Sequence, residues 1–334
     1  MFCKRRILGL AAGTAALIGV AISATAGFAA DFTLKKPLEM VIGNAPGGAM
    51  DRLARLTDLY LKSQKLIPNE SIVLPKPGGG HAVALAYIKS HAKDPSRLMA
   101  VNTLLISNNL LGRSELKYSD FTPLAILYEE PMMFAVKYDS QIKDGADLAK
   151  RLKADPTSVS FSVSSGLGTA NHMAAILLAK AVGANIRAVK AVSFESGSEG
   201  ITSVLGGHVD VVVTPPGSMM QFIETKQLRF IAVAGDHRAE APLADIPTWK
   251  EIGYDVSVSA WRGVIGPPGL KPEEIDFWQK GFEGFMKSDE YKKSAKEEIF
   301  EARYLNAADS AKFLADMDAQ FRDYLTLVGA AQSK

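Results

Sequence analysis

Residues 38–56 read Leu-Glu-Met-Val-Ile-Gly-Asn-Ala-Pro-Gly-Gly-Ala-Met-Asp-Arg-Leu-Ala-Arg-Leu, an apolar run, a Pro-Gly-Gly turn and the opening of an amphipathic segment. The run Leu38–Gly43 reads as a strand, and Asp51 stands where a helix over Asp51–Gln64 should begin, as its N-cap or a ligand contact. Gly47 and Gly48 let backbone N–H groups face a ligand, and a helix start adds a partial positive charge. Such a place holds an anion without a lysine.

A second unit of the same kind lies far downstream. The strand Ser158–Val163 runs through Ser164-Ser165-Gly166-Leu167-Gly168-Thr169 into a helix over Ala170–Val182. Ser164, Ser165 and Thr169 offer hydroxyl donors, and Gly168, Thr169 and Ala170 offer amides at the helix start. A carboxylate accepts about four hydrogen bonds, so two such loops suffice for both of its oxygens without a buried cation. Asn171 and His172 fall inside the helix, where His172 reads as a structural histidine.

The rest of the chain keeps alternating strand and helix, which argues for an α/β fold. Strands are predicted at Ser71–Leu74, Arg97–Val101, Phe121–Leu127, Met132–Val136, Arg187–Val192, Val209–Thr214 and Phe230–Ala234. Helices are predicted at Ala82–His91, Leu148–Lys153, after Gly200 as far as Leu205, and at Glu273–Met286. Phe313, Leu314, Met317, Phe321, Tyr324, Leu325 and Val328 form a buried stripe at helical period. The segments Phe121–Leu127 and Met132–Val136 are expected to cross between two lobes, since no Pro/Ser-rich linker separates them.

The 334 residues suffice for two lobes and a large core. Residues 1–30 read as a secretory signal peptide: Lys4, Arg5 and Arg6, the apolar stretch Ile7–Ile22, then small residues up to Ala30. The single cysteine, Cys3, lies inside that leader, so the remainder has no thiol chemistry. The formal charge of +2 becomes −1 once the leader's three cations are removed, which offers no basic stripe for nucleic acid. No later apolar run is long enough to span a bilayer. The five histidines show no metal-ligand spacing, and no cofactor or metal is expected. Gly166-x-Gly168-x-x-Asn171 lacks the third glycine of a dinucleotide fingerprint, and Ser196-Gly197-Ser198-Glu199-Gly200 lacks the first glycine of a nucleophile elbow.

The motif Ala45-Pro46-Gly47-Gly48-Ala49-Met50-Asp51 resembles that of the periplasmic receptors of tripartite tricarboxylate transporters, the Bug-type solute-binding proteins. The resemblance recurs at Pro77-Gly78-Gly79-Gly80, at Ser164–His172 and at Leu205-Gly206-Gly207-His208-Val209-Asp210. It continues through Leu228–Val233, Ile246-Pro247-Thr248 and Trp261–Gly269. It implies a two-lobed periplasmic binding-protein fold, type II-like, with lobe 1 at 31–131 and 257–334 and lobe 2 at 132–256. It implies a non-enzymatic, exported receptor that closes on a small organic carboxylate, a di- or tricarboxylate, aliphatic or aromatic. Its partners would be the membrane permease subunits, or a sensor protein in the alternative reading.

By the same resemblance the ligand is held by Ala45, Pro46, Gly47, Gly48 and Asp51 from one loop and by Ser164, Ser165, Gly168, Thr169 and Ala170 from the other. Thr214 and Trp261 are further candidates, Trp261 with Arg262 for the cleft or hinge. Met50, Met132, Met133, Phe194 and Met219 are candidates for an apolar cleft wall or for core. Ser193-Phe194-Glu195 and Thr214-Pro215-Pro216 depart from the Pro-Tyr-Lys and Asp-Asn patterns of many relatives, and bear on which acid is bound rather than on the fold. A rival reading, a serine hydrolase using Ser164 or Ser165 with His172 and Asp51, lacks an elbow or a paired base at suitable spacing.

Overall fold

Ten strands share one curled sheet across the residues that the computed structural model describes, namely 32–44, 46–164, 168–194, 196–239 and 241–330. The expected leader at 1–30 lies outside those residues, as do Ala45, Ser165 and Glu195. The first triplet is β1 (Glu39–Ile42), β2 (Ile72–Pro75) and β3 (Arg97–Val101), parallel in the order β2-β1-β3. Each strand leads into a helix: α1 (Ala49–Ser63), α2 (Ala82–Ser90) and α3 (Leu104–Leu110). Helix α3 was not anticipated, because Leu104-Leu105-Ile106 extends the apolar run of β3.

Strand β4 (Thr122–Lys137) and helix α4 (Gly145–Ala154) lead to a second parallel triplet. It consists of β5 (Ser160–Ser164), β6 (Lys190–Phe194) and β7 (Val211–Thr214), in the order β7-β5-β6. Helix α5 (Ala170–Ala181) follows β5 and α6 (Gly197–Leu205) follows β6. Short α7 (Met220–Glu224), β8 (Leu228–Ala234) and α8 (Trp249–Ile252) precede β9 (Ser259–Gly266). Helices α9 (Pro272–Lys287) and α10 (Asp289–Glu298), strand β10 (Glu301–Leu305) and helix α11 (Ala307–Leu327) complete the chain.

The two strands expected at Phe121–Leu127 and Met132–Val136 are one strand of 16 residues. As far as Pro131, β4 pairs antiparallel with β9; from Met132 it pairs with β7 and β8. A proline has no N–H for a ladder, and here it falls where the strand changes partners. Strand β6 begins at Lys190 rather than Arg187, because the Asn185 side chain accepts from the Arg187 N–H at 3.1 Å and makes Ile186–Ala188 a 3₁₀ turn.

Period-two alternation distributes the core. On β4, Met132, Phe134 and Val136 join the largest apolar cluster, while Met133 and Ala135 join another. On β1, Met40 and Ile42 face a third cluster with Trp278, Phe282 and Phe285 of α9. The stripe Leu314, Met317, Phe321, Tyr324 and Leu325 of α11 is buried in the largest cluster, beside residues of both triplets.

Candidate functional site

A cleft of about 650 Å³ opens at the C-terminal ends of both parallel triplets, the place where open α/β sheets bind ligands. Four helices start on its wall: α1 at Gly48 and Ala49, α3 at Thr103 and Leu104, α5 at Thr169 and Ala170, and α6 at Gly197 and Ser198. Two of these starts were expected from the glycine turns. Asn102-Thr103 follows an apolar run and opens a helix in the same way, a signal present without any glycine.

In the first loop Gly47 has φ +92° and Gly48 is the N-cap of α1, with no side chain capping the helix. Gly48 lines the cleft, whereas Pro46 and Gly47 are exposed beside it. Asp51 is the third residue of the helix rather than its N-cap. Its carboxylate is buried and accepts from Arg55 Nε and the Gly47 N–H, each at 3.0 Å. The Arg55 hydrogen bond, aided by that amide, outweighs desolvation and holds its pKa below the usual carboxylate value. Asp51 therefore orders the turn from within the helix.

In the second loop Thr169 is the N-cap of α5 and accepts from the His172 N–H at 3.5 Å. Thr169, Ala170 and Asn171 line the cleft, and Asn171 Nδ2 donates to the Val213 carbonyl at 2.6 Å. Gly168 has φ +85° and packs against α3. Ser164 closes β5. Thr214, at the end of β7, is buried and lines the cleft between the starts of α5 and α6. His172 is buried and bonds through Nδ1 to the Tyr324 hydroxyl, edge-on at a ring distance of 5.9 Å.

Trp261 does not reach the cleft. It is fully buried against Phe313, while its strand neighbours Ala260 and Arg262 point the other way and line the wall. Of the apolar candidates, Met50 lines the cleft; Met132, Met133 and Met219 are core, and Phe194 is half-buried against a core cluster.

Sequence reasoning named Arg262 beside Trp261 for the cleft or hinge, but missed Glu130, Arg52 and Glu298. Arg262, with a side chain only 12% exposed, pairs with Glu130 at 3.0 Å, and both line the cleft. Arg52 bridges α1 to α10 through Glu298 at 2.8 Å. The cleft wall thus also carries a buried guanidinium, already offset by a carboxylate. The pair is diagonal across β4 and β9, since Tyr128 faces Arg262 and Glu130 faces Ala260. No helical or motif spacing announces it.

Two histidines predict a pH response. Burial, with the nearby Arg262 charge in the case of His81, pulls the pKa values of His81 and His172 from 6.5 to about 4. The unfolded chain then binds more protons than the folded one between those values. Stability should be full above pH 6.5 and should fall as the pH drops toward 4. Urea midpoints across that interval measure the slope, and His172→Asn should flatten it; an unchanged slope would exclude His172 as a contributor.

Comparison with known proteins agrees with this architecture. A protein of Cupriavidus necator, described as a UPF0065 protein in the gbd 5′ region, is 26% identical over 329 residues, covering 98% of this chain and 97% of its own. Protein BugT of Bordetella pertussis is 26% identical over 269 residues, 78% of this chain and 80% of its own. The structure of R. palustris Rpa4515 with adipate superposes with a TM-score of 0.76 at 21% identity, covering 88% of this chain and 98% of that one. The family model described as the tripartite tricarboxylate transporter family receptor matches residues 57–327. The chain therefore belongs to the tripartite tricarboxylate transporter receptor family, with its two-lobed solute-binding fold.

Proposed function

We propose that this chain is a periplasmic receptor that captures a small organic carboxylate between two lobes and delivers it to the membrane permease subunits of a tripartite tricarboxylate transporter. The observation that carries the reading is the meeting of helix starts from both parallel triplets at one cleft. Their N–H groups and partial positive charge suit an anion. The adipate bound by the R. palustris neighbour is an acid of this class. The lobes are residues 31–131 with 257–334, and residues 132–256, a division supported by the partner change of β4 at Pro131 and Met132. The carboxylate is gripped by the loop at 45–48, ordered by Asp51, and by the loop at 164–170, with Thr214 in the wall beside the second loop. Closure follows because only the closed form lets both loops touch the acid.

A binding role rather than hydrolysis is supported by how the would-be triad is engaged. His172 Nδ1 is bonded to Tyr324, and Asp51 to Arg55 and Gly47. Export is supported by the charged, apolar and small-residue segments of residues 1–30. No helix among the described residues is long and apolar enough to cross a membrane.

The direct test is calorimetry with malate, adipate and benzoate on the wild-type chain and on Gly48→Thr. Gly48 has extended φ and ψ of −85° and 177°, and open space where a side chain would go. Threonine caps helices about as well as glycine, so folding should hold. Its hydroxyl would occupy the amides offered to the acid, and affinity should fall roughly tenfold or more. Failure of all three acids to bind the wild-type chain would reject the reading.

A further inference from the structure

We propose that Asn44 donates its side-chain amide to the bound acid and that His81 is the positioning residue that aims it. The proposal deepens the receptor reading and rests on it. Asn44 follows β1 directly, is exposed and lines the cleft beside the start of α1. Its Oδ1 is held by His81 Nε2 at 2.8 Å. Among the described residues its Nδ2 has no protein partner, so the N–H₂ group is the one left for the cleft.

The histidine is built to donate. It is 1% exposed, and burial beside the charged Arg262 favours the neutral ring. A neutral ring bonded to an amide oxygen carries its proton on Nε2. The buried Nδ1, which has no partner, is then the bare nitrogen. The ring is pinned against β1: a Cβ on Gly43 would lie 2.5 Å from its carbons, so no other residue fits there without displacing it. His81 also adopts φ +83°, a left-handed backbone that strains a non-glycine residue.

The preceding glycines make that backbone possible. Gly78, Gly79 and Gly80 have φ of +132°, +55° and +57°, and the Asn108 amide donates to the Gly80 carbonyl. The turn Pro77–Gly80 thus delivers an imidazole to the back of Asn44. A strained residue held from three sides, with its proton aimed at a cleft side chain, is what fixing that side chain requires.

The test uses the full chain with malate, adipate and benzoate as probes. Asn44→Ala should weaken whichever of these acids bind by about tenfold to a hundredfold, and Asn44→Asp should weaken them further, since it adds a negative charge. His81→Gln places an amide nitrogen near Nε2 and should stay within about threefold of wild type, whereas His81→Leu should match Asn44→Ala. In an Asn44→Ala background, His81→Leu should add nothing; an additive loss would mean that His81 acts only on the fold. Nitrogen-15 NMR of the unliganded protein should find His81 with its proton on Nε2, and a proton on Nδ1 would overturn the proposal without any ligand. If the acids bind and Gly48→Thr impairs them while Asn44→Ala does not, the inference fails and the receptor reading stands. If none binds, the receptor reading fails and takes the ligand role of Asn44 with it.

Discussion

Arg262→Ala is expected to cost about 3–5 kcal/mol of folding free energy, because it leaves the Glu130 carboxylate buried without its cation. The two side chains are 12% and 8% exposed, and their charged groups stand 3.0 Å apart on neighbouring strands. Burial already raises the Glu130 pKa, with Arg262 pulling it back down. Removing the guanidinium removes that counterweight, so the carboxyl will hold its proton to still higher pH. A carboxyl with a raised folded pKa contributes stability below its unfolded value and loses it as the pH rises through the folded value. The deficit of the variant should therefore be largest at neutral pH and shrink on acidification. Urea denaturation at the two conditions decides the matter, and an equal deficit at both would show that charge is not the cause. The double variant Glu130→Met/Arg262→Leu should recover most of the loss, since an apolar pair needs no desolvated partner.

That pair also marks the limit of what the sequence discloses. The helix starts at Gly48 and Thr169 were legible because each follows an apolar run and a glycine turn, a local pattern. The bounds of the strand Arg97–Val101 were equally legible, since a strand buried on both faces is a continuous apolar run. Glu130 and Arg262 are 132 residues apart in the chain and meet only because β4 and β9 pair with a shifted register. Nothing local encodes that meeting. The misplacement of Trp261 has the same origin: alternation on a strand makes either Trp261 or Arg262 face the cleft, and only the pairing with β4 decides which. Asp51 illustrates a finer limit. Aspartate suits both the N-cap and the third helical position, and the extended backbone of Gly48 moves the cap three residues upstream.

Gly168→Val should be strongly damaging, because it offends the backbone and the packing at once. Gly168 has φ +85°, which a β-branched residue adopts only under strain. A Cβ there would lie 2.6 Å from Leu111 Cδ1 and 3.2 Å from Ser107 Cβ, both at the side of α3. Strained backbone and overpacking each cost on the order of 1–3 kcal/mol, so a combined loss of roughly 2–6 kcal/mol is expected. The loop has little room to retreat, since His172, four residues on, is bonded to Tyr324 of α11. Helices α3 and α5 both begin on the cleft wall, so pushing this loop off α3 moves two helix starts relative to each other. Adding Leu111→Ala should restore the packing share but not the backbone share, leaving a deficit of about 1–3 kcal/mol. Thermal and urea unfolding of the single and double variants separate the two shares. A single variant as stable as the wild type would mean that the second loop does not rest on α3, and the geometry assigned to the cleft would have to be redrawn from that contact outward.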